Sequence, residues 1–370
     1  MMFLKLNAQS GASKPASYER LGYLRNPFPQ RGEVAAKIYV ERPELSRLQV
    51  ALGNFLQDPE ASGGFWAVKG EAGLGKSNCL QHIDYAIGEA SRRGEVTGVI
   101  SRYIGNQPIS SRNLVEQILQ ALGSERLCHL LEQRPATPTP LLDTDFGRFL
   151  AALRSDRKLS AMEGAQFLMR WLGGHQTYSE ERERYGLWSR EHMLPAVAFP
   201  YLRDLIELLA AAGLVNRIVL LIDEFEDVQK LPDATQRDYV GSLKSLVNVF
   251  NWRRLFLIVS GQEAVFTTIE QRFTSIRDRW KAETLLPLQE AQDALRLAKS
   301  YQLAEREAFL TQAKASAGNL PAELEPTGTE IQLCFANLLK KGTVGVKQRD
   351  LLAALHELVE ERVHRQPGSG

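Results

Sequence analysis

Between an apolar run and a helical pattern the chain reads Gly70-Glu71-Ala72-Gly73-Leu74-Gly75-Lys76-Ser77. Glycine loses more conformational freedom on folding than any other residue, so three of them directly before a helix demand a reason. The preceding "GFWAV" favours a strand, and the following "SNCLQHIDYAIGEA" carries apolar residues at helical spacing. A strand, a GxxxxGK[ST] loop and a helix form the arrangement in which successive backbone N–H groups wrap a phosphate. The positive end of the helix dipole adds to that field. The spacing predicts that Lys76 reaches the β- and γ-phosphates, that the Ser77 hydroxyl ligates Mg²⁺, and that Asn78 joins the contacts at the helix start. A mere glycine-rich turn competes poorly: average residue usage brings the four fixed positions together in roughly one chain in a hundred of this length.

Such a loop needs a metal-holding carboxylate on a neighbouring strand. "RIVLLIDEFEDV" supplies one: an unbroken apolar run from Arg217, as in strands buried on both faces of a parallel sheet, ends in Asp223-Glu224. Asp223 is placed to hold Mg²⁺ through its water shell, and Glu224 to polarise an attacking water. A solvated acidic loop, "DEFED", is the plain alternative, and the presence of the glycine loop argues against it. "VTGVISRYI" reads as a second strand, and "RRLFLIVSGQEAVF" as another that ends in Ser260-Gly261-Gln262.

The order glycine loop, "LLIDEFED", "LIVSGQ", "FTSIRDRWKAETLLPL" resembles AAA+ P-loop ATPases of the initiator clade, the origin-recognition type. The resemblance implies an α/β fold: a P-loop NTPase parallel sheet flanked by helices, with a long helical insertion and a C-terminal helical lid. It implies that Ser260, or else Gln262, senses the γ-phosphate. "NPFPQRGEVAAKIYVERPELSRL" looks like the clade's lead-in to the adenine pocket, which would give Asn26, Pro27, Phe28, Tyr39, Val40 and Arg42 to the base. "SIRDRW" matches the segment whose arginine reaches into a neighbouring subunit's site. Arg279 aligns best and Arg277 is the alternative; a solvated basic face is the plain reading of both. "GVKQRDLLAAL" resembles the lid motif whose arginine turns back to the phosphates, here Arg349, against a reading in which that arginine only caps a surface. Initiators proper add a winged-helix DNA reader after the lid; its absence from this stretch argues against sequence-specific origin binding.

The interval from "VTGVISRYI" to Arg217 spans roughly 120 residues, far beyond an ordinary connection between elements. "SRNLVEQILQALG", "FGRFLAALRSDRK", "SAMEGAQFLMRWLGGHQTYSEERERYGLWS" and "YLRDLIELLAAAGL" read there as helices of an inserted bundle, with "LLEQRPATPTPLLD" as a proline-rich loop. "RWLGG" followed by an acidic strand is similar to ATP-binding proteins of BREX-type phage defence. The expected organisation is a tail over 1–20, a nucleotide-binding core over 21–288 with the insertion at about 107–214, a lid over 289–366, and an appended 367–370.

Composition excludes several classes. A net charge of +1 argues against wholesale binding to nucleic acid or membrane. Apolar runs such as "IVLLI" fall short of the ~18 residues that span a bilayer. Three scattered cysteines match neither a disulfide framework nor a zinc site, and with no leader pattern at the N-terminus they fit the cytoplasm. His82, His175 and His192 lack ligand spacing and read as structural or surface residues. The reading is therefore a Mg²⁺-dependent ATPase, with ATP and Mg²⁺ as cofactors, that assembles as a ring or filament. It works with DNA in defence or a related mobile-element process. The alternative is a signalling or protein-remodelling ATPase whose insertion binds a protein partner without DNA. The Asp-Glu pair and the lid arginine argue against a small-molecule kinase.

Overall fold

The computed structural model describes residues 18–30, 33–105, 110–133, 135, 144–156, 158–187, 195–250, 253–313, 324–340 and 344–364. The chain forms two compact units: Glu41–Ala72 with Lys76–Leu285, and Met1–Val40 with Gly73–Gly75 and Leu286–Gly370.

The larger unit is built on a five-stranded sheet of β1 (Phe65–Lys69), β2 (Val99–Ile104), β3 (Arg217–Ile222), β4 (Leu255–Gly261) and β5 (Lys281–Thr284). All pairings are parallel, in the order β2-β3-β4-β1-β5. The α/β class expected of the sequence is the one observed. Every residue of β3 and β4 is buried, the mark of central strands covered on both faces. β5 was not anticipated: Lys-Ala-Glu-Thr carries no apolar run, and its place is set by pairing with β1 along one side only. Helices α1 (Ser46–Gln57), α2 (Lys76–Arg92), α9 (Asp233–Phe250), α10 (Glu263–Arg272) and α11 (Thr274–Arg277) complete the layers around the sheet.

Between β2 and β3 lie α3 (Ser111–Leu122), α4 (Ser124–Glu132), α5 (Asp145–Ser155), α6 (Ala161–Leu172), α7 (Ser179–Arg184) and α8 (Pro195–Ala211). Ser110, Thr144 and Ser160 cap α3, α5 and α6 by accepting the orphan N–H groups of Asn113, Gly147 and Glu163. Aromatic rings knit this bundle: Phe149 stacks on Phe167, Phe167 on Tyr185 and Trp171, and Trp171 on Tyr201. The "RWLGG" segment is thus the end of α6. Trp171 is fully buried, and Arg170 is tied to Glu181 at 2.6 Å. His192 and most of the proline-rich stretch lie outside the described residues.

The smaller unit packs α12 (Ala291–Ala313), α13 (Gly328–Leu339) and α14 (Gln348–His364) around Leu297, Tyr301, Ile331, Phe335, Leu355 and Val359. A capping box joins Thr327 and Glu330 at the start of α13. Phe28 is 1% exposed within this cluster, so the Asn-Pro-Phe segment belongs with the C-terminal helices.

Candidate functional site

β1 hands the chain to the glycine loop at Gly70, whose N–H donates to Gly261 O of β4 at 3.2 Å. Gly73 and Gly75 sit at φ of 86° and 96°, where side chains are strained, and Arg349 and Gln348 come so close that a Cβ on either glycine would crowd them. Leu74 is buried between them, while Glu71 and Ala72 are exposed. Lys76 opens α2 and is only 7% exposed; its Nζ donates to Gly70 O at 2.8 Å and Glu71 O at 2.9 Å. The ammonium thus spans the mouth of the loop. Ser77 is half-buried and Asn78 buried behind it.

Strand order brings the carboxylate alongside. β4 stands between β1 and β3, with Val68 opposite Ser260 and Ile222 opposite Val259, so the C-terminal ends of the three strands share one edge. Ligands of open α/β sheets bind at that edge. Asp223 follows β3 with its N–H donating to Ile104 O at 2.8 Å. It is 6% exposed. Its Oδ1 accepts from the Glu224 N–H at 2.9 Å and from the hydroxyl of Ser260, which is completely buried. Its Oδ2 accepts from the Tyr103 hydroxyl at 2.8 Å. Burial first, and then the Asp223 charge, push the Tyr103 phenol far above its ordinary value.

Glu224 adopts φ 55° and ψ 40°, the left-handed region, and is the one non-glycine residue with positive φ among the described residues. The chain turns there from β3 into a 3₁₀ segment, Phe225–Lys230, so Glu224 breaks the strand's alternation. Strain of this kind persists where the surroundings enforce it and gathers at functional sites.

The remaining sequence candidates fall elsewhere. Gln262 caps α10 without a side-chain bond and is exposed. Trp280 packs on Phe65, Phe225 and Phe266 and donates to Glu270 at 2.9 Å. That anchor leaves the arginines outside: Arg279 is exposed and donates to Asn248 at 2.7 Å, and Arg277 is exposed beside Asp278 at 3.2 Å. Arg42 pairs with Glu44 at 3.0 Å in the larger unit.

In the smaller unit, Asn26 donates to His356 O at 3.0 Å and Glu360 at 2.8 Å while accepting from the Phe28 N–H at 3.1 Å. Pro27 is buried beside it; Tyr39 and Val40 are half-buried. Arg349 lies in the first turn of α14, 3.8 Å from Asp350, and its N–H donates to Gly73 O at 3.0 Å within the same unit. Tyr103 is the site residue that motif reading missed. The available signal was alternation along β2, which puts Ser101 and Tyr103 on one face and Arg102 on the other.

The donor set suits a magnesium nucleotide. Mg²⁺ is usually held by one or two protein oxygens with substrate phosphates and water completing the octahedron. Ser77 and Asp223 offer that minimum. Among the described residues, no group of three or more His, Cys, Asp or Glu side chains could hold a metal by itself.

No curated protein matches the sequence. Among solved structures, the Aeropyrum pernix ORC2 protein is 12% identical, with 90% of this chain and 72% of that one covered and a TM-score of 0.45. The Drosophila ORC bound to DNA is 13% identical over 98% of this chain and 64% of that one, with a TM-score of 0.47. The Aeropyrum pernix ORC1 protein in complex with DNA is 15% identical over 92% and 66%, with a TM-score of 0.46. The chain thus spans about two thirds of the length of the two DNA-bound proteins. Residues 129–283 match the family described as "BREX system ATP-binding protein BrxC/D". Over that stretch, which holds α5 to α8, Asp223, Glu224, Ser260 and both exposed arginines, the chain is similar to the BREX ATP-binding proteins, as "RWLGG" and the acidic strand imply.

Proposed function

We propose that this chain is a Mg²⁺-dependent ATPase that works as a switch. The supporting observation is Asp223, buried and hydrogen-bonded on both oxygens, one strand removed from a positive-φ glycine loop that ends in Lys76 and Ser77. The loop amides and Lys76 bind the β- and γ-phosphates, with Ser77 and Asp223 holding the metal, which when bound neutralises charge on the phosphates. Glu224, turned out of the strand, orients and deprotonates the attacking water. Ser260 holds Asp223 in place and senses the γ-phosphate through that carboxylate.

The switch reading takes the expected core over 21–288, carrying the insertion, and lid over 289–366, with the stretch up to Val40 moved to the lid, whose helices it packs with. Asn26, Pro27, Phe28, Tyr39, Val40 and Arg42 serve the base, and Arg349 serves as the lid's contact to the phosphates. Arg279, with Arg277 as the alternative, completes a neighbouring subunit's site in a ring or filament. Both are exposed, as a residue acting in trans must be before assembly. ATP turnover measured against protein concentration tests this: the rate per subunit should rise with concentration and reach a plateau. A rate flat from nanomolar to micromolar, with a single-subunit mass throughout, would rule it out.

Action beside DNA in phage defence rests on the likeness to BREX proteins. Charge adds little to it, because Arg92, Arg93 and Arg254 are each neutralised by an acidic partner. Duplex binding that falls steeply with added salt would support DNA. Binding to a protein partner with no uptake of DNA would favour the remodelling alternative.

A further inference from the structure

β2 faces α2 through alternate residues. The Ser101 hydroxyl donates to Asp84 O of α2 at 3.4 Å, and two residues on, Tyr103 points the same way. The Tyr103 hydroxyl donates to Asp223 Oδ2 at 2.8 Å, and Gln81 of α2 is among the side chains that act on the phenol. Gln81 lies four residues after Ser77, one turn along the same helix face. Tyr103 thus lies on the face of β2 that is turned to α2, the helix that carries Ser77, and is bonded to the strand end that carries Asp223. Gly105 leaves it room: a Cβ there would stand 2.6 Å from the Tyr103 hydroxyl.

The geometry points to Tyr103 as a positioning residue for the metal site, one that holds the Asp223 carboxylate in a single orientation. This rests on the magnesium-nucleotide reading above. Ser260 and the Glu224 N–H fix one carboxylate oxygen, and Tyr103 fixes the other. With both engaged the carboxylate plane cannot rotate, so the metal meets a pre-set ligand. Without Tyr103 the plane turns about its single remaining anchor, and part of the metal's binding energy is spent on ordering it.

Tyr103→Phe removes only the oxygen. Mn²⁺ titrated into ADP-loaded protein and followed by electron paramagnetic resonance should bind about tenfold more weakly in Y103F, the size of one charge-assisted hydrogen bond. ADP affinity in EDTA should stay within about twofold of the natural protein. Equal or tighter Mn²⁺ binding, or a parallel loss with and without metal, would overturn the assignment. If Y103F folds poorly, Gly105→Ala serves in its place, since it displaces the hydroxyl without touching the carboxylate, and the same selective loss is expected. A natural protein that takes up no nucleotide in the presence of metal defeats the ATPase reading itself. Normal uptake with an unaltered variant defeats only the role of Tyr103.

Discussion

β3 buries a charge at each end, and the two ends are built differently. At its start, Arg217 is 7% exposed. Its guanidinium donates to Phe55 O and Asp58 O and lies over the Phe55 ring, 5.0 Å from the centroid. Burial pulls its pKa below the usual arginine value, yet main-chain carbonyls that cannot move away hold both arms of the fork. At the other end, Asp223 is held by a serine, a tyrosine and one backbone N–H. A carboxylate offers about four acceptor positions, so three bonds leave room for a ligand. One charge is closed off by main chain; the other is steadied by side chains and left able to accept more. Burial alone does not separate a structural charge from a working one. The identity of the partners does.

Substitution at both ends exposes the difference, and the largest effect should come from the acidic one. Glu224→Gln is expected to cut ATP turnover by about 10²-fold or more while leaving ATP binding in place, as loss of a general base does. Phosphate release and equilibrium nucleotide binding are the two measurements. Arg217→Ala should leave turnover per folded molecule almost unchanged. Turnover in E224Q close to that of the natural protein would erase the functional half of the contrast. Next in size is stability: Arg217→Ala orphans the buried carbonyl of Phe55 and drops the bond to Asp58 O, and should lower the unfolding free energy in urea by about 2–4 kcal/mol. Asp223→Asn keeps the shape and one acceptor, so its cost should fall below that. Equal costs at the two ends would mean that Asp223 is as structural as Arg217.

The contrast was half legible in the sequence. β1, β3 and β4 announced themselves because strands buried on both faces admit little but apolar residues, and the glycines at 73 and 75 because a phosphate cradle needs backbone that no side chain covers. Asp223 and Glu224 followed from their place after β3. Arg217 appeared only as the start of a run, since its partners, the carbonyls of Phe55 and Asp58, lie far away along the chain. Tyr103 stayed hidden for the same reason: its contact with Asp223 depends on the register that sets Tyr103 opposite Leu221, one step from the strand end. β5 was missed because an edge strand of Lys-Ala-Glu-Thr has no apolar signature. The Asn-Pro-Phe segment was read as a motif, but its bonds to His356 and Glu360 span most of the chain and leave no mark on local pattern.

Two smaller effects sharpen the acidic end. Ser260→Ala removes the buried hydroxyl on Asp223 Oδ1 and should weaken metal-dependent nucleotide binding by about 1–2 kcal/mol, a loss visible as a higher magnesium requirement. An unchanged requirement would show that the Glu224 N–H alone suffices to hold that oxygen.

The smallest concerns the backbone. An L-residue in the left-handed region costs about 1–2 kcal/mol relative to the right-handed one, and glycine escapes that cost. Glu224 stands at φ 55°, so Glu224→Gly should be more stable than Glu224→Ala by about 1 kcal/mol, although both lack the carboxylate and both should lose turnover. Urea unfolding of the two variants side by side measures the difference and cancels the shared loss of the side chain. If the gap is found, the turn after β3 stores strain that function retains and stability would discard, because glycine would serve the fold better there. If glycine and alanine unfold together, the left-handed turn is relaxed, and Glu224 owes its place to the fold and not to the water it would activate.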